Sequence, residues 1–70
     1  MIYPYPLKLR PLTDAEGGGW LAEVPDLPGC LSDGATPQEA VDNVQDAIAC
    51  WIEAAEEDGR AVPAPSRQAA

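Results

Sequence analysis

Between Tyr3 and Leu12 apolar and charged positions alternate, with Tyr5, Leu7 and Leu9 on one side and Lys8 and Arg10 on the other. A period of two marks a strand with one buried face. Pro4 and Pro6 lack N–H groups on a shared flank, so this strand lies at a sheet edge there or begins only after Pro6. Thr13-Asp14-Ala15-Glu16-Gly17-Gly18-Gly19 follows as a turn in which glycines reach positive φ, and the strands on either side should form a hairpin. In the second strand Trp20, Ala22 and Val24 share one face while Leu21 and Glu23 share the other, so one of the two faces carries a partly exposed apolar residue. Pro25-Asp26-Leu27-Pro28-Gly29 ends it with turn chemistry, and Cys30 to Ser32 is long enough for a short third strand.

From Thr36 to Asp58 the period lengthens to that of a helix. Thr36 supplies a cap, Pro37 fits the first helical position, Glu39 completes a capping box and Gly59 provides the stop. At about 100° per residue Val41, Val44, Ile48, Trp51, Ile52 and Ala55 fall on one stripe. Glu39, Asp42, Asp46, Glu53 and Glu57 project from the opposite side. The prolines of Arg60-Ala61-Val62-Pro63-Ala64-Pro65-Ser66 forbid further helix and predict a short extended segment, and residues 67–70 form a disordered tail.

Seventy residues make one domain, able to bury only about 60% of its unfolded surface, which makes a second subunit helpful. The incompletely paired proline strand points the same way, to a dimer. The net charge of −8 excludes a basic stripe for phosphates and fits a basic partner, although excess acid also keeps a small protein soluble. No stretch reads as a signal or membrane span, so the expected residence is cytoplasmic with Cys30 and Cys50 as reduced thiols.

Candidate chemistry is sparse. There is no histidine, neither thiol has an evident activating base, and Cys50 projects near Asp46, Glu53 and Glu57, which disfavour a thiolate. Cys30 reads as a small apolar residue at the entry to a strand. Two cysteines without histidine cannot furnish a four-ligand zinc site from one chain unless carboxylates or a second subunit are recruited. Glu23, Asp26 and Asp33 lie on or near strand ends and could hold Mg²⁺ for phosphodiester cleavage, but three scattered acids in so acidic a chain fit a solvated or partner-facing role better. The glycine run has no following lysine or helix and reads as a hairpin turn rather than a phosphate cradle. Neither a cofactor nor a metal is expected.

The segment Gly18-Gly19-Trp20-Leu21-Ala22-Glu23-Val24-Pro25-Asp26-Leu27-Pro28-Gly29-Cys30, followed by Ser32-Asp33-Gly34-Ala35-Thr36-Pro37-Gln38-Glu39-Ala40, closely resembles the HicB family of antitoxins. The likeness runs on through Asn43, Ala47, Trp51 and Ile52 to Glu57-Asp58-Gly59-Arg60 and Val62-Pro63-Ala64-Pro65-Ser66. It implies an α+β fold of order β-β-β-α-β: a three-stranded antiparallel sheet on one long helix with a short C-terminal strand, partial ribonuclease-H-like, over residues 1–66. It also implies a non-enzymatic partner of HicA toxins, which are small basic RNA-cleaving proteins with a catalytic histidine. Many family members continue into a DNA-binding segment, whereas this sequence stops at Ala70, so DNA binding is not carried over.

The expected function is therefore an antitoxin that occludes the active site of a HicA-like ribonuclease, with Trp20, Glu23, Asp26 and Asp33 at the interface. A stand-alone binding module of the same fold is the alternative, and a magnesium-dependent nuclease a more distant one.

Overall fold

Two facing prolines set where the sheet begins. The computed structural model describes residues 3–66, and its first strand, β1, runs over Lys8–Pro11. β1 pairs antiparallel with β2 (Trp20–Glu23), from Lys8 opposite Glu23 to Pro11 opposite Trp20. Continued by two residues, that register would set Pro6 against Pro25. Neither has an N–H to donate, so the ladder stops at Lys8, as the second of the two expected starting points requires. β3 (Leu31–Gly34) pairs antiparallel with the other edge of β2, giving the order β1-β2-β3.

The β1–β2 connection is more ordered than a glycine turn alone. Asp14–Glu16 forms one turn of 3₁₀ helix, and Thr13 and Glu16 make a reciprocal capping box at its start. Gly17, Gly18 and Gly19 then all take positive φ, and the Leu12 N–H closes the hairpin on the Gly19 carbonyl at 2.8 Å.

The helix α1 spans Pro37–Glu57. The Thr36 hydroxyl accepts the Glu39 N–H at 3.1 Å as expected, but the Glu39 carboxylate reaches past Thr36 and accepts the Ala35 N–H instead, at 3.1 Å. The predicted capping box is thus displaced by one residue on its return arm. At the far end the Arg60 N–H bonds the Ala55 carbonyl (2.8 Å) and the Gly59 N–H bonds that of Glu56 (3.1 Å). This is a Schellman closure, with Gly59 in the left-handed region.

The core lies between α1 and one face of the sheet. Ala22, Val24, Leu27 and Cys30 pack there with Ala40, Val44 and Ile48, joined by Tyr5 from the segment before β1. Trp51 and Ile52 are partly buried against this cluster, and the Trp51 indole N–H donates to the Pro28 carbonyl at 2.9 Å. Ala40 joins the predicted stripe because β3 comes so close. A Cβ at Gly34 would lie 2.5 Å from the Ala40 nitrogen and 2.7 Å from Glu39 atoms, so only glycine fits at this crossing.

The expected C-terminal strand is not formed. Residues 60–66 carry no ladder, since Pro63 and Pro65 withhold donors, and side chains fasten the segment instead. The Tyr5 hydroxyl donates to the Pro63 carbonyl, and Ser66 bonds Asp26. The expected tail over residues 67–70 lies outside the described residues.

Gly34→Ala should cost about 1–3 kcal/mol of stability through overpacking at the strand–helix crossing. Urea unfolding measures this, and an unchanged midpoint would show that β3 and α1 have room to separate.

Candidate partner-binding site

Antiparallel partners opposite one another point to the same side of a sheet. Ala22 and its β1 partner Leu9 therefore face α1, while Lys8, Arg10, Leu21, Glu23, Leu31 and Asp33 occupy the other side. Among the described residues no helix or strand lies across that side. Its centre is a two-by-two checkerboard, with Glu23 opposite Leu31 and Leu21 opposite Asp33. The Val24 N–H bonds the Cys30 carbonyl, so the hydrogen-bonded positions of this ladder are the even ones. The checkerboard pairs are the non-hydrogen-bonded kind, whose side chains approach more closely. Leu31 is 52% exposed, one of two large apolar side chains so open among the described residues.

The four expected interface residues separate accordingly. Glu23 and Asp33 come together on the open face. Trp20 lies on the helix side of β2, partly buried against the core and away from the checkerboard. Asp26 sits in the loop between β2 and β3, where its carboxylate accepts the Ser66 N–H (2.7 Å) and hydroxyl (2.6 Å). Those two bonds hold its pKa below the ordinary aspartate value and engage both oxygens in fastening the C-terminal segment. Glu23, Asp26 and Asp33 thus do not converge, and among the described residues no three metal-ligating side chains do. Leu21 and Leu31 were not among the expected contacts. The alternation Leu31-Ser32-Asp33 carries the signal, but only the register shows which face it meets.

Beside the checkerboard, charge is locally balanced. Arg10 forms a two-bonded ion pair with Glu16 at 3.1 and 3.0 Å. The bonds from Arg10 and then from the Thr13 backbone and hydroxyl hold the Glu16 pKa at about 2, below its ordinary 4.5. The outer face of α1 is different. Glu39, Asp42, Asp46, Glu53 and Glu57 are all exposed, and no basic residue occupies the last turn. Acids at a helix C-terminus oppose the helix dipole, so this arrangement costs local stability. Arg60, just beyond, pairs with Asp58 at 3.4 Å and lies 5.6 Å from the Trp51 ring centre.

Cys30 is buried, which raises its pKa, and Cys50 is exposed on α1. No helix among the described residues is long and apolar enough to cross a membrane.

The described residues form a small α+β scaffold with one uncovered sheet face. Residues 5–70 match the family described as HicB-like antitoxin of bacterial toxin–antitoxin systems, and the chain belongs to that family. It is 36% identical over 52 residues to a UPF0150 protein of Thermoplasma acidophilum, covering 74% of this chain and 75% of that one. It is 39% identical over 59 residues to an uncharacterized 14.9 kDa protein of Haemophilus phage HP1, covering 84% of this chain and 41% of the phage protein. Over 61 residues it is 36% identical to Antitoxin HicB 1 of Photorhabdus laumondii, covering 87% of this chain and 37% of that antitoxin. The chain thus spans most of the archaeal relative and about two-fifths of the other two.

Because the Glu16 pKa is lowered by folding, its ionised form stabilises the fold above pH 4.5, and that contribution is lost as pH falls from 4.5 through about 2. Glu16→Gln should therefore flatten the acid limb of stability over this window. Urea midpoints measured against pH for both proteins test it, and parallel curves would show that the ion pair contributes nothing.

Proposed function

We propose that this chain neutralises a small basic, HicA-like RNA-cleaving toxin in the cytoplasm by covering its active site, without catalysis of its own. The observation that carries this reading is the checkerboard of Leu21, Glu23, Leu31 and Asp33 on an uncovered sheet face. Exposed Leu31 and half-buried Leu21 supply apolar area at the centre of a contact, and the two carboxylates supply acceptors for the lysines and arginines that surround an RNA-cleaving centre. Family membership supports an antitoxin role, and the net charge of −8 suits a basic partner.

The two acidic regions divide the work. The outer face of α1 lies on the opposite side of the molecule from the checkerboard and cannot join the same flat contact. Its charge acts at longer range, raising the rate of encounter with a cationic partner. The checkerboard, by contrast, sets how long the complex lasts.

Leu31→Lys should weaken the toxin complex about tenfold or more, and Glu23→Lys with Asp33→Lys should do so at least as strongly. Calorimetric titration, with RNA cleavage assayed beside it, provides the readout. Undiminished neutralisation by both folded variants would place the interface elsewhere.

A further inference from the structure

Asp33 stands at the end of the checkerboard, beside a cleft that the flat contact leaves empty. The cleft, of about 350 Å³, opens between the β1–β2 loop and the end of β3 and is lined by Gly17, Gly18, Gly19, Asp33, Gly34 and Ala35. A Cβ at Gly19 would lie 2.6 Å from the Gly34 carbonyl oxygen, so glycine at this position lets the loop close on the strand. The walls are therefore mostly bare peptide backbone, and Asp33 brings the one ionisable side chain among the lining residues. Among the described residues its carboxylate accepts no hydrogen bond and joins no ion pair. Arg10 shares a row of the sheet with Asp33, through Leu21, but its guanidinium is engaged twice by Glu16. The Gly17 and Gly18 carbonyls likewise accept no backbone hydrogen bond among the described residues.

We propose that this cleft receives the guanidinium of one arginine side chain of the toxin, with the Asp33 carboxylate as its counterion and carbonyls of the glycine loop as further acceptors. The inference deepens the partner-binding reading and rests on it. A guanidinium carries five N–H donors in one plane, so it suits a site that offers a carboxylate and several carbonyls at once. Its flat, weakly hydrated faces lie well against bare peptide groups, whereas an ammonium is a compact charge that holds its water. Glycine walls leave room for such a group, because no Cβ stands over their peptide planes.

Charge selects a cation over an anion. α1 begins just after Ala35, and a helix N-terminus beside a glycine loop would by itself favour a phosphate. Here the start of the helix is already satisfied: the Glu39 carboxylate accepts the Ala35 N–H and the Thr36 hydroxyl accepts the Glu39 N–H. Glu39 thus sets a second negative group beside Ala35, and no lysine or arginine is among the lining residues. Leu21 stands directly opposite Asp33, so an arginine seated in the cleft keeps its own chain over the checkerboard and extends that contact.

Amide NMR of this chain titrated with N-acetyl-arginine amide tests the cleft without any toxin. Saturable shifts should appear at the lining residues with a dissociation constant on the order of millimolar, and Asp33→Asn should weaken binding about tenfold. Glu56→Gln, which removes an equal charge from an exposed position near the other end of α1, should leave it unchanged. N-acetyl-lysine amide should bind more weakly, and inorganic phosphate should not shift these residues. In the toxin complex, Ala35→Leu narrows the cleft while keeping Asp33 and should weaken calorimetric binding about tenfold. The proposal is overturned if the lining residues ignore the arginine probe, respond equally in Asp33→Asn, or respond as strongly to the lysine probe or to phosphate. Parental toxin affinity in Ala35→Leu also overturns it. Failure of the probe leaves the checkerboard standing, because the probe makes none of its contacts, whereas failure of the checkerboard is read separately in the Leu31→Lys titration.

Discussion

One helix can cover only one face of a sheet, and the rest of this structure follows from that limit. α1 buries Val44, Ile48 and Ala40 against Ala22, Val24 and Leu27, and the match is close enough that Gly34 has no room for a side chain. Once the apolar stripe is spent on that contact, Leu21 and Leu31 are left on the far side with no element above them. Stability and availability thus have one origin. Among the described residues the helix covers one face of the sheet and leaves the other open, and that open face is the one proposed to meet another protein.

The surroundings of that face are arranged by local interactions that are individually modest. The Thr13–Glu16 capping box and the Arg10–Glu16 pair order the β1–β2 connection and neutralise Arg10, which faces Leu21 and not an acid across the ladder. Asp26 fastens Ser66, forty residues further along the chain, so the segment beyond α1 returns over the loop between β2 and β3 instead of extending the sheet. Relatives such as Antitoxin HicB 1 are much longer than the matched region. In a longer chain the same clasp would fix the direction in which any further segment departs.

Much of the fold was legible because its signals are local. Thr36, Pro37 and Gly59 bracket the helix within two turns of their targets, and the alternation of Trp20, Ala22 and Val24 names the buried face of β2. The start of β1 could be narrowed to two positions, but choosing between them required knowing that Pro6 meets Pro25. Thr13-Asp14-Ala15-Glu16 carries the same capping signature as the start of α1 and lay within a segment read as a plain turn. Glu23 and Asp33 could be named as surface acids. Their grouping with Leu31 depends on the β2–β3 register, which no single segment contains. The bonds of Asp26 and the packing of Trp20 could not be read from sequence because they are made to residues distant along the chain.

The central claim is that the uncovered sheet face, and not the acidic helix, makes the lasting contact with the toxin. Amide NMR of this chain titrated with a HicA-like toxin inactivated at its catalytic histidine tests it most directly. The account predicts that the largest shifts fall at Leu21, Glu23, Leu31 and Asp33, with the outer face of α1 little changed once salt screens its charge. Shifts concentrated on Asp42, Asp46 and Glu53 and sparing the sheet would contradict it.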